Sequence, residues 1–278
     1  EEQAKAARDK GRLDEAARLY RTCLQLRRTL LGDRHAQTIS TIDALGAVLY
    51  MEADLAGAEV LLLEALQLRR ETLGDKHPDT IHSISNTGML LKDKRDFVGA
   101  EELLSEAVTA MRESTDEAAS SAQGQGSSSS SSSSSLLICQ SNLGTLYKDK
   151  GDLVKAEEML RETLNEMRKS LGDRHPATLS ALVQLGLVLL EKRELIGAEE
   201  LLTEALTANR EIFVSGHPQL LASITWLAGL HETKGDIAAA LPLHQEVLSG
   251  FSAANHPMTH RCASHVAALL RQQGREAE

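Results

Sequence analysis

The sequence of 278 residues has few aromatic residues, few cysteines and no long apolar run. Aromatic residues make up 3% of the chain, which favours a core of packed leucine and alanine helices over one built on large rings. Three widely separated cysteines cannot form a disulfide framework, so we expect small buried thiols, in agreement with a reducing, cytoplasmic location. Because no apolar run reaches about 18 residues, no membrane span is expected.

The sequence also has fewer basic than acidic residues and lacks recognisable catalytic or phosphate-binding motifs. The net charge of −10 and the pI of 5.5 argue against nucleic acid or an anionic membrane as a partner. The segment "AQGQGS" lacks the strand and the Gly-Lys-Ser/Thr of a phosphate loop, and no nucleophile elbow or Cys/His dyad is found. The chain is therefore predicted to be non-catalytic and to need no cofactor.

What the sequence does contain is one octapeptide written several times. It reads "LGDRHAQT" (31–38), "LGDKHPDT" (73–80) and "LGDRHPAT" (171–178), with weaker copies in "VSGHPQL" (214–220) and "AANHPMT" (253–259). The histidines are 42, 98, 42 and 39 residues apart, and 98 is two periods of 42 with 14 further residues. Those 14 lie in the serine-rich run at 121–135. A fixed period of this length indicates a solenoid.

Between the octapeptides, apolar residues recur three and four positions apart in two runs, which predicts two amphipathic helices per repeat. The octapeptide then joins the second helix of one repeat to the first helix of the next. Its glycine suits a left-handed residue after a helix, its aspartate suits acceptance of N–H groups, and its proline suits the first helical position. The histidine is expected to close the joint by packing and a backbone hydrogen bond. These residues are Gly32, Gly74 and Gly172; Asp33, Asp75 and Asp173; Pro78, Pro176, Pro218 and Pro257.

Small residues recur where paired helices would cross. Glycine inside a helix costs about 1 kcal/mol relative to alanine, so its recurrence implies close packing. Large apolar residues alternate with the small ones, and these predict the partners across the crossing. The first-helix column is Gly46, Gly88, Gly144, Gly186 and Ala228, and the leucines of the second helix are Leu62, Leu104, Leu160 and Leu202.

The segment "NLGTLYKDKGDLVKAEEMLRETL" (142–164) resembles the tetratricopeptide repeat, with its Leu-Gly pair, aromatic residue, turn glycine and alanine. The 42-residue period with "LGDxHPxT" resembles the longer repeat of kinesin light chains and nephrocystin-like proteins. The resemblance covers the chain apart from the insert and implies an all-α fold, a right-handed α-solenoid (superhelix) of stacked antiparallel helix pairs. The expected repeats are about 1–31, 32–73, 74–119, 136–171, 172–213 and 214–252, with a terminal helix at 257–273 and a disordered Ser-rich loop at 120–135. Since residue 1 falls part way into a repeat, further residues are expected upstream.

In such a solenoid the first helices line a concave groove, and the residues facing away from the small-residue column are candidates for partner binding. Asn86 and Asn142 fall where kinesin-light-chain-like repeats carry an asparagine that holds extended peptides, which suits the amide's donor and acceptor. Lys92 and Lys148 are offset by aspartates, so a preference for acidic peptides is not carried over. The candidate groove residues are Asp43, Tyr50, Asn86, Met89, Lys92, Asn142, Thr145, Lys148, Gln184, Leu187 and Trp226.

One cluster, "HPMTHRCASH" (256–265), carries residues of the kind that bind zinc. On a helix that starts at Pro257, His260, Cys262 and His265 do not share one face, and no metal site is expected.

Two functions remain open from the sequence: an adaptor that binds a peptide or protein in the groove, or a constitutive structural subunit of a larger assembly. The resemblance favours the first. Neither the partner nor the oligomeric state follows from the sequence.

Overall fold

The structure, a computed structural model, describes residues 1–9, 12–121, 129–253 and 258–277. Every regular element in these ranges is an α-helix, so the predicted all-α class is confirmed. None of the helices in the described ranges has both the length and the apolar character needed to span a bilayer. The chain consists of two compact units, Glu1–Lys150 and Gly151–Glu278.

Unit 1 contains seven helices within its described residues, each packed on the next along the chain. Helices α5 and α7, the first helices of successive repeats, also touch each other. This order of contacts is that of a solenoid, because a bundle about one centre would bring distant helices together. The helices are α1 (Glu2–Asp9), α2 (Leu13–Leu31), α3 (Ala36–Met51), α4 (Leu55–Leu73), α5 (Pro78–Asp93), α6 (Phe97–Ser121) and α7 (Ser129–Asp149).

Unit 2 repeats the arrangement with six helices in its described part, and here α9 and α11 are the first helices that touch. Its core is formed by leucines of α9 to α11 together with Val247, and a smaller cluster joins α12 to α13. The helices are α8 (Leu153–Leu171), α9 (Pro176–Glu191), α10 (Leu195–Ile212), α11 (Pro218–Lys234), α12 (Ile237–Ala253) and α13 (Thr259–Ala277).

The octapeptide glycines end helices α2, α4 and α8, as predicted, but not in the left-handed helical conformation. Gly74 has φ 82° and ψ 165°, and the other two glycines are nearly identical. This combination of positive φ with an extended ψ is accessible almost only to glycine, whereas asparagine tolerates the left-handed helical region. The joint therefore restricts its glycine more tightly than the sequence pattern implied.

The rest of the octapeptide confirms two of the predicted roles and corrects a third. Pro78, like Pro176 and Pro218, is the first residue of its helix, while Pro257 lies outside the described residues. His77, the histidine before Pro78, is the N-cap of α5. Asp75 does not cap the next helix; its carboxylate pairs with Arg70 of the preceding helix, with Nε 3.2 Å from Oδ1. A guanidinium one turn before the joint competes successfully for the carboxylate.

The predicted crossing of glycine over leucine is confirmed in both units. A Cβ added to Gly88 would lie 2.8 Å from Cγ of Leu104, and one added to Gly46 or Gly186 would lie 3.0 Å from the corresponding leucine. The backbones approach as closely as this column predicts.

The serine-rich segment differs from its predicted limits. Helix α6 continues to Ser121 and α7 begins at Ser129, so only residues 122–128 of the predicted loop fall outside the described residues. Serine costs a helix only a fraction of 1 kcal/mol, and the tract runs directly into a strongly periodic helix. The terminal helix likewise extends to Ala277, beyond the predicted end at 273.

The three cysteines are free thiols. Cys139 is buried and burial raises the pKa of its thiol, while Cys23 and Cys262 are partly buried. The predicted use of cysteine as a small interior side chain agrees with these positions.

Candidate functional site

The candidate groove residues lie on the first helices, and in each unit we call the surface that they form its first-helix face. The first-helix face of unit 1 carries the candidates of α3, α5 and α7, and that of unit 2 carries the candidates of α9 and α11. The candidates differ in how much of each side chain a partner could reach. Tyr50, Asn86 and Trp226 are exposed; Asp43, Met89, Asn142, Lys148 and Gln184 are half-buried; Lys92, Thr145 and Leu187 are buried.

The two groove lysines of unit 1, Lys92 and Lys148, are neutralised by aspartates, as the sequence indicated. Lys92 lies with Nζ 2.9 Å from Oδ1 of Asp93 and 3.0 Å from Oδ2 of Asp149. Burial lowers the pKa of Lys92, but the hydrogen bonds to the two carboxylates outweigh it and raise the pKa above its ordinary value. Lys148 pairs with Asp149 in turn. The cations are thus held by their own chain.

Tyr50, like Lys92, pairs with an aspartate of the next first helix. Its hydroxyl donates to Oδ2 of Asp93 on the next first helix, and burial together with this carboxylate raises the pKa of the phenol. Successive first helices of unit 1 are therefore joined by a ladder in which one repeat supplies the donor and the next supplies the aspartate.

Asp43 is held by a residue that the sequence analysis did not select. Arg69 of α4 donates both to Asp43 and to Ser83. Burial raises the pKa of Asp43 in spite of the guanidinium, and Oδ1 of this carboxylate has no partner in the described part of the chain. Asp43 is thus a buried charge compensated on one side only.

The two groove asparagines flank a small cavity of about 50 Å³ between α5 and α7. Nδ2 of Asn142 donates to Oγ of Ser85 at 3.0 Å, so part of its capacity is committed within the protein. Asn86 is exposed and makes no hydrogen bond to the described residues. Of these two asparagines, Asn86 is the one that offers its whole amide to a partner.

Unit 2 has a larger cavity on its first-helix face, of about 350 Å³, between α9 and α11. Gln184 and Trp226 line opposite sides of it, and Trp226 remains 43% exposed. The cavity brings together two candidates that stand on consecutive repeats. Its volume falls within the range of about 300–1,000 Å³ that is typical of ligand sites.

Asn209 of α10 also lines this cavity and was missed by the sequence analysis. The residue is 1% exposed, and its Nδ2 donates to Oγ of Ser223 at 2.7 Å. Its Oδ1 has no partner among the described residues. A buried amide oxygen without a donor is costly, about 1–3 kcal/mol, which makes this atom the least satisfied group at the cavity.

A signal for Asn209 was present in the spacing of the repeats. Its column of second-helix residues contacts the next first helix 14 positions later in three polar pairs of the described chain: Arg27–Thr41, Arg69–Ser83 and Asn209–Ser223. In the fourth full repeat the column carries Met167, and the residue 14 positions later is Ala181, which has no hydroxyl group. The column is Arg27, Arg69, Met111, Met167 and Asn209.

One group of possible metal ligands is found among the described residues, and it differs from the cluster considered in the sequence. Glu232, His244 and His265 place one ligand atom each within 4.8 Å of the others. His260 and Cys262 do not belong to it, and His256 lies outside the described residues. Because the three residues come from three helices, no local pattern could have grouped them.

Comparison with known proteins identifies the repeats. Two family models described as tetratricopeptide repeat match the chain, one over residues 135–211 and the other over 4–37 and 38–79, together more than half of its length. No sequence among the curated proteins matches this chain.

Solved structures resemble the fold at low identity. BtubC (BKLC) from P. vanneervenii is 20% identical, with 88% of this chain and 94% of that one covered and a TM-score of 0.62. A kinesin-light-chain-like protein of nearly identical TPR-like repeats from Podosopora anserina is 19% identical, with 76% and 93% covered and a TM-score of 0.57. The Rap conjugation gene regulator of plasmid pLS20, in complex with the Phr peptide, is 15% identical, with 83% and 57% covered and a TM-score of 0.64.

Proposed function

Because this chain belongs to the tetratricopeptide repeat family, we propose that it is a non-catalytic adaptor whose first-helix face holds an extended peptide segment of a partner protein. The family fold is a scaffold for protein interactions, and its function depends on the site that each member carries. One neighbour in fold, the Rap regulator, is itself in complex with a peptide.

The observation that carries the proposal is the cavity of unit 2 together with one of its lining residues, Asn209, whose buried Oδ1 has no hydrogen-bond partner among the described residues. An extended peptide presents a row of backbone N–H groups, and a donor entering the cavity would supply the hydrogen bond that the oxygen lacks. Gln184 adds a second amide on the opposite wall. The site therefore offers polar groups of the kind that recognise a main chain irrespective of its side chains.

Trp226 supplies the apolar contact of the same site. A half-exposed indole beside a cavity gives a partner side chain a large, rigid surface at low entropic cost. In unit 1, Asn86 offers a further amide on its own first-helix face. An extended segment with an apolar or aromatic side chain at one position fits the cavity of unit 2.

The charged residues of unit 1 indicate which class of peptide would bind poorly there. Lys92 is 9% exposed and is shared between two aspartates, so an acidic peptide would have to displace a carboxylate to reach it. The first-helix face of unit 1 is therefore expected to prefer uncharged segments over acidic ones.

The test uses a displayed library of random peptides selected on the intact chain, followed by affinity measurement with the selected peptides. In the variant Asn209→Met with Ser223→Ala, the polar pair is replaced by the methionine and alanine that the chain carries at Met167 and Ala181. The packing is thus conserved while the acceptor is removed. Trp226→Ala removes the apolar surface.

Both variants are expected to lose at least tenfold in peptide affinity with little change in unfolding. Ile196→Ser is the control, because Ile196 lies on α10 with 77% of its surface exposed and does not line the cavity. Peptides that bind the two site variants as tightly as the unmodified chain, or that depend on Ile196, would rule out the first-helix face as the site.

The alternative of a constitutive structural subunit has one observation in its favour. Leu26 and Leu30 stand one helical turn apart on α2 and are 59% and 76% exposed. An apolar pair of this kind is suited to a permanent interface. If Leu26→Ser with Leu30→Ser abolishes an association measured by light scattering while peptide selection fails, the subunit role replaces the adaptor role.

A further inference from the structure

We propose that Glu232, His244 and His265 form a binding site for a divalent transition-metal ion of the zinc class, which ties together helices α11, α12 and α13 of unit 2. The site is separate from the peptide cavity, and none of its three ligands lines that cavity.

The three side chains converge on one oxygen. Oε1 of Glu232 lies 2.5 Å from Nε2 of His244 and 3.1 Å from Nε2 of His265, and all three ligand atoms are within 4.8 Å of one another. The two imidazole rings are edge to face, with centroids 4.6 Å apart. A tetrahedral zinc ion with bonds of about 2.0–2.2 Å holds its ligand atoms roughly 3.3 Å apart, so changes of at most about 1.5 Å in the distances between the ligand atoms would admit it.

The repeats themselves show that His244 departs from the pattern of the chain. It occupies the column that holds Leu62, Leu104, Leu160 and Leu202 in the earlier repeats. Leu62, Leu104 and Leu202 pack against the first-helix glycines of their repeats. Replacing the leucine with histidine places an imidazole, with its side chain 12% exposed, where an apolar group packs elsewhere. A polar group at such a position is costly unless it is partnered.

The other two ligands stand in columns that vary from repeat to repeat. Glu232 aligns with Tyr50, Lys92, Lys148 and Leu190, and His265 aligns with Ala44, Asn86, Asn142, Gln184 and Trp226, allowing for the shorter last period of 39 residues. Glu232 and His244 belong to the last full repeat and His265 to the helix that follows it, and these helices pack one on the next. The histidine that replaces a core leucine is therefore accompanied by polar side chains from both neighbouring helices, as a metal site requires.

The chemistry of the three groups selects the ion. Two imidazole nitrogens and one carboxylate oxygen suit zinc and its neighbours in the first transition row, while calcium and magnesium require oxygen ligands. The carboxylate oxygen that faces both imidazoles is Oε1 of Glu232, so one oxygen and two nitrogens are available to the same ion. Three protein ligands leave the fourth position for water.

The experiment is titration of zinc chloride into chelator-treated full chain, followed by calorimetry and by thermal unfolding. One ion is expected to bind per chain and to raise the unfolding temperature, since an ion that binds only the folded state stabilises it. Cobalt in place of zinc is expected to give the strong visible absorption of four-coordinate geometry.

His244→Leu restores the residue found in the other repeats, so it is expected to fold and to lose the zinc response. His265→Asn introduces the residue found at Asn86 and Asn142 of the same column and is expected to weaken zinc binding by more than about 100-fold, since even loss of an outer partner costs about 10–100-fold. His260→Asn, an exposed histidine on the same helix, is the control and should bind as the unmodified chain does. Absence of a zinc-dependent rise in the unmodified chain, or binding retained in His244→Leu or His265→Asn, would overturn the assignment.

Discussion

The imidazole Nδ1 of His77 accepts a hydrogen bond from the backbone N–H of Asp79 at 3.2 Å, which makes histidine the N-cap of helix α5. Because Pro78 has no N–H, the first donor that needs a partner is that of Asp79, and the imidazole reaches it. The same bond, at the same distance, begins α3, α9 and α11 with His35, His175 and His217. The recurrent histidine is a capping residue, and its bond requires the tautomer with the proton on Nε2.

Loss of this cap gives the first prediction. His77→Ala leaves the N–H of Asp79 without a side-chain acceptor and is expected to lower the free energy of unfolding by about 0.5–2 kcal/mol. His77→Asn retains a side-chain oxygen of suitable length and should recover most of the loss. Urea unfolding followed by circular dichroism measures both. Equal stabilities of the two variants would show that the hydrogen bond contributes nothing.

The second prediction follows from the contact of Gly88 with Leu104. A methyl group at Gly88 would lie 2.8 Å from Cγ of Leu104, so Gly88→Ala is expected to destabilise the chain by about 1–3 kcal/mol despite the better helix propensity of alanine. Gly229 in α11 is the matched control, because a Cβ there would meet no atom within 4 Å. Gly229→Ala should raise stability by up to about 1 kcal/mol. Thermal unfolding of the two variants is expected to shift in opposite directions, and a shift in the same direction would contradict the packing argument.

The third prediction follows from the ion pair of Asp43 and Arg69. Arg69→Met introduces the residue that the chain carries at Met111 and Met167, so the packing is tolerated while the carboxylate of Asp43 loses its cation. Breaking a buried pair on one side is expected to cost about 3 kcal/mol. Asp43→Asn should cost less than about 1 kcal/mol, and adding it to Arg69→Met should recover most of the loss. A double variant no more stable than Arg69→Met would refute this account.

The same pair has a pH dependence of definite sign. Burial raises the folded-state pKa of Asp43 above its unfolded value, so the folded chain binds the proton more tightly. Stability from this group is therefore gained as pH falls through the folded pKa and is lost as pH rises above it. The deficit of Arg69→Met, measured by urea unfolding, should shrink as the pH is lowered from 7 towards 4. With Asp43→Asn present, this part of the pH dependence should vanish.

The features that the sequence predicted correctly are those that depend on near neighbours. The helical runs, the cap histidine before Pro78 and the glycine after α4 each act within about four residues, so their patterns are visible along the chain. The crossing of Gly88 and Leu104 was also predicted, because repetition showed which columns must meet. Asp75 was assigned to the wrong partner, since both a following N–H and a preceding guanidinium lie within its reach.

The candidate site was predicted less completely. Trp226 and Gln184 were selected and do line one cavity, but Asn209, whose oxygen is the least satisfied group there, lies on a second helix that the groove pattern leaves out. Lys92 was selected as a groove residue and is 9% exposed, because two aspartates draw it against its own helices. The burial of a long side chain depends on the residues packed around it in the tertiary structure, and aligning the repeats in the sequence does not show those residues.

The sequence by itself determined the period of the repeat, the helices and the joints between them, because hydrogen bonds and caps within one turn are local and each copy confirms the others. Only the tertiary structure decided which side chains meet across helices. The approach of Asn209 to Ser223, and of Glu232 to His244 and His265, depends on how closely and at what angle packed helices cross. Those distances follow from packing the whole core of a unit, which no single segment specifies.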